Sequence, residues 1–539
     1  MSIGPSADDS LLSETSPPGI RWTTVNMAEV LPGVLTPLAW TFWRDPCEAG
    51  LRAAFADAGV LPAQQVTAPE SLDRRLTGLF YGRLAGNLTF VCELCDLMPG
   101  SSGAAFEEQV FGRADPDAER HPSVRRYPMV AAKMPINLAL LPRRLRSLRS
   151  AIDTWWRAAT GPNPTGSPEA RLEQARELLG QAMRRHMLAS LAAQGCYDRV
   201  TQLAAAAGRP GLELDLMTGY GGMEETKVSA DLWDVSRGDM TMREFLGRHG
   251  FHAPNEGQLA SRSWREDPRA ITEITRNYQR MRDDQSPKLR ENAQIDTRRQ
   301  AEATLLAALP RSQRPAARLT LSIAARFLPM REIGKTSFLQ TIDGGRAAAR
   351  EIGQRMVREG KLDDREDVFF ATLDEIYGTD PHDLTERVAK RRRRHAEYSE
   401  LQLPERWIGI PAPVARSSQK VGRGTTVTGV PVSSGIAEGR ARVVHDPDAA
   451  YDFDPGDILV CETTDPSWVV LFQLAGAVVI DVGGSMSHGA IVARELGLPA
   501  VINTRVGTQT IADGDHIRVD GSAGRIDIIT PAARSPHAP

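Results

Sequence analysis

The sequence predicts an α+β protein with several domains, in which a large, mostly helical region precedes a compact domain of short strands and helices. Helical patterning dominates residues 19–402 of the 539-residue chain. Residues 403–424 are rich in Pro, Ser and Gly, which is the composition of a flexible linker. In residues 425–530, short β-rich runs alternate with turns that contain Gly and Asp. These observations predict a helical domain, a linker and a compact β/β/α domain.

The ends of the chain and its net charge favour a soluble, cytoplasmic protein. Residues 1–18 are rich in Ser, Pro and Asp and are expected to be disordered, as is the tail at residues 531–539. No apolar run approaches the roughly 20 residues that cross a bilayer, and the N-terminus has no signal-peptide pattern. A net charge of -3 gives no electrostatic reason to expect nucleic acid or an anionic membrane as a partner.

The cysteines indicate neither a disulfide framework nor a metal site. There are five, too few and too scattered for a framework, which also favours a reducing cytoplasm. Cys92 and Cys95 form a pair, but no second cysteine pair completes a zinc site. Their apolar neighbours indicate a buried helix instead, and no metal site is predicted.

Within the helical region, the clearest helical patterns lie at residues 51–58, 171–194 and 271–309. A further helix is expected over residues 383–401, which contain four consecutive arginines at 391–394. Such a basic run invites a nucleic-acid interpretation. The acidic residues around it fit the solvated face of a helix better.

The predicted strands of the C-terminal domain are short and are separated by turns such as Asp513-Gly514-Asp515. They cover residues 427–432, 439–444, 458–460, 478–480, 516–519 and 525–529.

One strand-turn-helix segment carries the main candidate for catalysis. An apolar run at residues 475–480 predicts a buried strand, and residues 490–496 predict an amphipathic helix that ends at Gly497 and Pro499. His488 is therefore expected at a helix N-terminus.

The turn before this helix has the features of an anion-binding site. Gly483 and Gly484 allow a sharp backbone turn close to a ligand, and Ser485 or Ser487 is expected to cap the free amides. Unpaired N–H groups and the helix dipole stabilise an anion there, and neutral imidazole can attack phosphorus. His488 is thus a candidate phosphoryl carrier that works through a phosphohistidine. The alternative is a histidine that merely caps or packs.

Residues 481–501 resemble the mobile phosphohistidine domain of phosphoenolpyruvate-utilising enzymes, whose signature joins Gly-Gly, Ser-His and Ala-Ile-Val-Ala-Arg-Glu-Leu-Gly. Two positions depart from it: Gly489, commonly Ala, and Met486, where some relatives have a hydroxyl residue. The resemblance extends to residues 429–444, 455–460 and 463–468. It implies a swivelling domain with His488 as the phosphoryl carrier and these phosphate-binding residues: Gly483, Gly484, Ser485 and Ser487.

The helical region resembles the acceptor-binding domain of rifampin phosphotransferases. Its opening at residues 21–38 carries the resemblance, with further matches at residues 81–83, 264–268, 327–335 and 366–370. The substrate-binding residues that we expect from it are Trp22, Asn26, Thr36 and Glu256. Trp22, Trp40 and Trp43 are expected either to line an apolar pocket for an aromatic acceptor or to pack in the core.

Three charged residues form a candidate catalytic face on one helix. Arg331 and Lys335 are four residues apart and share a face, with Glu332 close enough to orient one of them. Paired cations suit a phosphoryl group whose charge is spread over several oxygens. The alternative is an exposed, salt-bridged helix face. Resemblance to the family's catalytic Arg-Glu-x-x-Lys pattern favours catalysis.

His252, and less so His249, is the candidate base that takes a proton from an acceptor hydroxyl, because a histidine with a near-neutral pKa suits that task. Glu256 matches an acidic residue of the family. The sequence departs from the family at Phe251, where a histidine is often found, so structural packing of His252 is the alternative.

The resemblance also predicts the partners. The chain starts at the acceptor domain, without the ATP-grasp domain of the resembled enzymes and without a pyruvate-binding barrel. We therefore expect ATP and Mg²⁺ to be bound mainly by a separate ATP-grasp subunit. Phenylphosphate synthase and the cresol-phosphorylating enzymes have this split design, so a phenol or cresol is the expected acceptor. The alternatives are a rifamycin phosphotransferase, a phosphocarrier or regulatory protein without a small acceptor, and a degenerate binding protein.

Overall fold

The structure, a computed structural model, describes residues 11–25, 27–111, 114–221, 223–378, 384–415, 425–446, 450, 452–485 and 487–532. It confirms an α+β architecture with several domains. The chain forms two compact units. One comprises residues 1–190, 255–262 and 333–417, and the other comprises residues 191–254, 263–332 and 418–539.

The helices of the described residues are, in chain order, α1 (Met27–Val30), α2 (Pro37–Asp57), α3 (Leu88–Asp96), α4 (Gly103–Phe111), α5 (Tyr127–Thr160), α6 (Pro168–Ala206), α7 (Leu212–Leu216), α8 (Glu224–Arg237), α9 (Met242–His249), α10 (Arg269–Gln279), α11 (Pro287–Ala308), α12 (Arg314–Arg358), α13 (Leu373–Tyr377), α14 (Leu384–Ser399), α15 (Val469–Leu474), α16 (His488–Leu496) and α17 (Gly507–Thr510).

The strands are β1 (Arg21–Thr23), β2 (Thr77–Phe80), β3 (Arg83–Asn87), β4 (Leu401–Gln402), β5 (Arg406–Ile408), β6 (Val414–Ala415), β7 (Thr426–Thr428), β8 (Val430–Ser433), β9 (Ile436–Val443), β10 (Ile458–Cys461), β11 (Ala477–Ile480), β12 (Ala500–Ile502), β13 (His516–Asp520) and β14 (Arg525–Thr530).

The first unit contains a four-stranded antiparallel sheet in the order β2-β3-β1-β5. Three segments of this unit differ from what the sequence predicts. Residues 414–415 of the predicted linker form β6, which pairs with β4. Residues 11–16, expected to be disordered, pack beside β2, where the Glu14 amide donates to the Leu79 carbonyl at 2.7 Å. Residues 406–408, expected to be a flexible linker, form β5 because Trp407 is buried against Phe80. Residues 416–424 of the predicted linker lie outside the described part of the chain.

The four consecutive arginines lie on α14 in this unit, where Arg391, Arg392 and Arg394 take part in ion pairs. Arg391 contacts Glu375 at 2.7 Å, and Arg392 contacts Asp367 at 2.5 Å. Val388 on the same helix is buried. These contacts agree with the interpretation of the run as a helix face rather than a nucleic-acid site.

The second unit contains an eight-stranded mixed sheet in the order β7-β14-β13-β9-β10-β11-β12-β8. Its four central strands, β9 to β12, are parallel. Alternate residues enter two different cores, as the pleat requires. Leu459 and Val478 face the core that contains α15 and α16, whereas Ile458 and Val479 face the other core. The sequence predicts most of these strands but misses β12.

Helices α8 and α10 share the first of these cores with α15. All six residues of α15 are buried, and side chains of neighbouring helices donate to its carbonyl oxygens. Tyr278 donates to Val470 at 3.1 Å, and Arg290 donates to Gln473 at 3.0 Å. Because of this packing, residues 191–254 and 263–332 group with the C-terminal residues, which differs from the domain division that the sequence predicts.

Candidate active site

The predicted strand-turn-helix segment positions His488 at the start of α16. Strand β11 ends at Ile480, and Ser487 is the N-cap of the helix, where its hydroxyl oxygen accepts from the Ala490 amide at 3.3 Å. Gly497 closes the helix with a left-handed φ of +63°. The predicted helix and its N-terminal histidine are therefore confirmed. Met486 lies outside the described residues.

The His488 imidazole is buried, with 3% of the residue exposed. Its Nδ1 atom lies 3.3 Å from the Thr464 hydroxyl oxygen, and the Phe472 ring meets it edge-on at a centroid distance of 6.3 Å. When Nδ1 carries the proton and donates to Thr464, the lone pair is on Nε2. In that tautomer, Nε2 is the ring nitrogen that could act as a nucleophile.

Gly489 fits the crowded space beside His488. A Cβ atom at this position would lie 2.3 Å from Ile480 Cδ1 and 2.9 Å from Thr464 Oγ1. The departure from the family's alanine thus has a local cause, because Ile480 fills the volume that an alanine methyl group would take.

Asp481 anchors the turn and was not predicted as a site residue. Its buried carboxylate accepts from Thr504 Oγ1 at 2.6 Å, from the Gly507 amide at 2.6 Å and from the Thr508 amide at 3.1 Å. These bonds tie the end of β11 to the start of α17. A polar residue directly after a buried strand was the available signal, but its partners are too distant in sequence for local patterns to identify.

Arg494 and Glu495, in the last turn of α16, line a cavity of about 20 Å³ together with Arg331 and Glu332 of α12. Arg331 contacts Glu332 at 3.1 Å. Burial lowers the pKa of the Arg494 guanidinium, and Arg331 lowers it further. Burial raises the pKa of Glu495 to about 7, against the opposing effects of the Tyr220 amide and of Arg494.

Lys335 and Glu256 lie in the first unit, and both are buried. Burial raises the pKa of Glu256 to about 8, although Lys335 and Arg346 each favour its ionised form. Arg346 donates to the Gln258 carbonyl at 3.0 Å and also to the Glu256 carbonyl. The structure therefore brings two predicted site residues, Lys335 and Glu256, into one charged cluster.

His186 lies beside Gly334 of α12, and no feature of the sequence singles it out. A Cβ atom at Gly334 would lie 2.8 Å from the His186 Cα atom, and its ring meets Phe338 at a centroid distance of 5.3 Å. Only the close approach of α6 to α12 places it there.

His252, the candidate base, lies in an aromatic cluster of the second unit. Its ring is 4.3 Å from Phe251 and 5.1 Å from Trp264, measured between centroids. The neighbouring His249 contacts Asp231 at 2.8 Å, and burial lowers the pKa of His249. These contacts are those of packed histidines, and the role of His252 as a base remains a prediction.

The residues of the predicted opening segment have structural contacts. Trp22 is fully buried and donates to Ser16 Oγ at 2.8 Å, and Thr36 caps α2 by accepting from the Ala39 amide at 3.4 Å. Trp40 and Trp43 are also buried, which agrees with packing in the core. Asn26 lies outside the described residues. Substrate binding by these residues remains a prediction.

Two features are absent from the described residues. No helix there has the length and apolar character to traverse a bilayer. No group of three or more His, Cys, Asp or Glu side chains is arranged there to hold a metal ion.

Comparisons with known proteins agree with the geometry around His488. Residues 453–524 match the family model of the PEP-utilising enzyme mobile domain. Residues 239–332 match that of the rifampicin phosphotransferase fourth domain. The resemblance of the His488 segment to PEP-utilising enzymes, expected from the sequence, is therefore confirmed.

The chain is also similar to several curated proteins. It is 38% identical over 192 residues to an uncharacterized phosphotransferase of Bacillus subtilis, an alignment that covers 33% of this chain and 23% of that protein. It is 31% identical over 295 residues to the rifampicin phosphotransferase of Streptomyces sviceus, covering 53% of this chain and 34% of that protein. The chain thus matches about a quarter to a third of the length of these relatives.

A solved structure gives a more distant likeness. Aconitase X of Thermococcus kodakaraensis aligns with 20% of this chain and 99% of its own, at 22% identity and a TM-score of 0.17. A score this low does not bear on function.

Proposed function

We propose that this chain is a phosphotransferase component that accepts a phosphoryl group on His488 and passes it to the hydroxyl group of a small acceptor. The observation that carries this proposal is the oriented, buried imidazole at the start of α16, within a segment that matches the mobile domain of PEP-utilising enzymes. A nucleophilic histidine divides one difficult transfer into two easier ones.

The first step forms a bond between His488 Nε2 and phosphorus, while the bond between that phosphorus and its leaving oxygen in the donor breaks. The glycine-rich turn and the free amides of α16 favour the negative charge that arrives. In the second step the acceptor oxygen attacks phosphorus and the N–P bond breaks. A base takes the hydroxyl proton, and His252 is the predicted base.

Cations support the second step. Arg331 and Lys335 are the proposed phosphoryl-binding residues, with Glu332 orienting Arg331, whose side chain it contacts at 3.1 Å. Glu256 is proposed to contact the acceptor, because its buried carboxyl group lies beside Lys335.

The proposed donor is ATP with Mg²⁺, bound mainly by a separate ATP-grasp subunit in a hetero-oligomer. The histidine-bearing domain would move between that subunit and the acceptor site. We place this reaction in the cytoplasm, where ATP is plentiful and where the free cysteines, all five of them buried, stay reduced.

The acceptor that we propose first is a phenol or a cresol, as expected for a split enzyme that makes aryl phosphates. A specific observation favours a second candidate, a rifamycin. Residues 239–332 match a domain of rifampicin phosphotransferase, and several relatives carry that name.

The test combines the protein, a candidate ATP-grasp partner, labelled ATP and Mg²⁺. We expect label on this chain that is labile in acid and stable in alkali, and that is absent from His488→Gln. His516→Gln is the matched control, because His516 is an exposed histidine on β13, in the eight-stranded sheet of the same unit. Label that persists in His488→Gln would refute the proposal.

The acceptor is then identified by discharge of the labelled protein. Release by phenol or cresol supports the first candidate, and release by rifamycin alone supports the second. Label that leaves only when another protein is added would indicate a phosphocarrier.

A further inference from the structure

We infer that Arg494 is a positioning residue for His488, because its guanidinium holds the turn that leads into the reactive histidine. This inference rests on the proposed function and adds a residue to it. Arg494 lies in the last turn of α16, and only 3% of the residue is exposed. Its Nη2 atom donates to the Ser485 carbonyl oxygen at 2.7 Å, so the helix reaches back to the turn that precedes it.

The bond to Ser485 is one anchor of this turn. Asp481 is another, because its carboxylate accepts from Thr504 and Gly507. Between these two anchors lie Gly483 and Gly484, which restrict the backbone least of all residues. Without Arg494 the turn would lose its hydrogen bond at Ser485, two residues before the N-cap Ser487.

Holding the turn is the main polar task of this guanidinium. Its Nε and Nη1 atoms are buried and make no hydrogen bond within the residues that the structure describes. The Tyr197 ring lies 6.0 Å from the guanidinium carbon, which is a weak contact. Because burying a cation without full hydrogen bonding is unfavourable, stability alone does not account for an arginine at this position.

Arg494 also faces the charged pair of α12. Its side chain lines the same cavity of about 20 Å³ as Arg331 and Glu332. Arg494 therefore borders the cavity that this pair lines and also bonds to the turn at Ser485. A substitution of Arg331 or Glu332 can therefore alter the position of His488 by displacing Arg494. This effect is separate from any contact that Arg331 or Glu332 makes with the phosphoryl group.

The test substitutes Arg494 by Gln and by Lys in the full chain. Arg298→Gln is the matched control, because Arg298 stacks on Tyr220, which lines the same cavity, and makes no contact with the described residues of the turn. We expect His488 phosphorylation by ATP and the ATP-grasp partner to fall about 10-fold to 100-fold in Arg494→Gln, the range that a small misplacement of a reacting group produces. Arg494→Lys, which keeps one donor, should fall between Gln and wild type, and Arg298→Gln should match wild type.

A second measurement does not depend on phosphoryl transfer. Isotope-labelled histidine makes the His488 ring visible by NMR, and the signals that disappear in His488→Gln identify it. The chemical shifts of this ring should change in Arg494→Gln and stay unchanged in Arg298→Gln. If wild type takes up no phosphate but the ring signals move as expected, the proposed function fails and the positioning role stands.

The inference is overturned by unchanged ring signals in Arg494→Gln together with a wild-type rate. It is equally overturned by an effect of the same size in Arg298→Gln. Circular dichroism measures the unfolded fraction of Arg494→Gln and Arg494→Lys. If that fraction fully explains their lower rates of phosphorylation, the inference is also overturned.

Discussion

His488 Nδ1 and Thr464 Oγ1 lie 3.3 Å apart, so the imidazole is oriented by a loop that precedes α15 and not by its own helix alone. We expect Thr464→Val to slow phosphorylation of His488 by about 10-fold or more, because the ring would lose the partner that fixes its tautomer and direction. Single-turnover labelling measures this rate.

The adjacent threonine provides the control. Thr463 Oγ1 is buried without a hydrogen-bond partner among the described residues, so Thr463→Val should leave both rate and stability nearly unchanged. Equal losses in the two variants would show that the contact between Thr464 and His488 has no special role.

Gly489→Ala should destabilise the protein by about 1 to 3 kcal/mol, because the added methyl group overlaps Ile480 Cδ1. Displacement of Thr464 by the same methyl group should also slow phosphorylation. Ile480→Val removes the colliding atom, so the double variant should recover most of the loss. Denaturant titration measures the free energies, and a double variant no better than Gly489→Ala would contradict this explanation.

Asp481→Ala should lower the free energy of unfolding by about 3 kcal/mol or more, since it leaves several buried donors without their acceptor. Asp520→Ala is the comparison. Asp520 accepts from the Ser522 and Ala523 amides in an exposed turn, where water can replace it. Urea unfolding should therefore show a clearly smaller change for Asp520→Ala.

Glu495 makes stability depend on pH. Its folded pKa of about 7 lies above the ordinary value of 4.5, so the folded protein holds this proton more tightly than the unfolded chain. The stabilisation is complete below pH 4.5, falls as pH rises, and is lost above pH 7. The difference amounts to roughly 3 kcal/mol.

Glu495→Gln tests this dependence, because glutamine resembles the protonated acid at every pH. The variant should match wild type near pH 4.5 and exceed its free energy of unfolding near pH 8. Unfolding curves at a series of pH values measure the difference, and a constant offset between the two proteins would contradict the prediction.

Glu256→Gln separates the two halves of the proposed reaction. With a pKa of about 8, the Glu256 carboxyl group is mostly protonated at pH 7, so glutamine should cost less than about 1 kcal/mol of stability there. Phosphorylation of His488 should be unchanged, and transfer to the acceptor should slow. Equal slowing of both half-reactions would exclude an acceptor-side role for Glu256.

Local sequence patterns were sufficient for the strand-turn-helix that carries His488. The glycines at 483 and 484, the serine N-cap and the helix end at Gly497 act within a few residues of one another. The short apolar runs that mark β10 and β11 are equally local signals. The same holds for α14, whose acidic neighbours explain its basic run.

Long-range packing was not predictable in this way. The burial of residues 11–16 beside β2, the pairing of β5 with β1 and the sharing of a core by α10 and α15 depend on residues far apart in sequence. From the sequence alone, Trp22 is equally compatible with the wall of a pocket and with a packed core, because its neighbours in space are unknown. Arg494 belongs to a recognisable motif, but its bond to Ser485 requires the turn to fold back onto the helix.

The enclosure of His488 has a kinetic consequence. A ring with 3% of its residue surface exposed cannot meet a nucleotide on another protein until the residues that cover it move aside. That opening, and not bond making, is expected to limit turnover, and the observed rate should then decline as solvent viscosity increases. Once loaded and covered again, the N–P bond would be shielded from hydrolysis while the carrier waits for its acceptor.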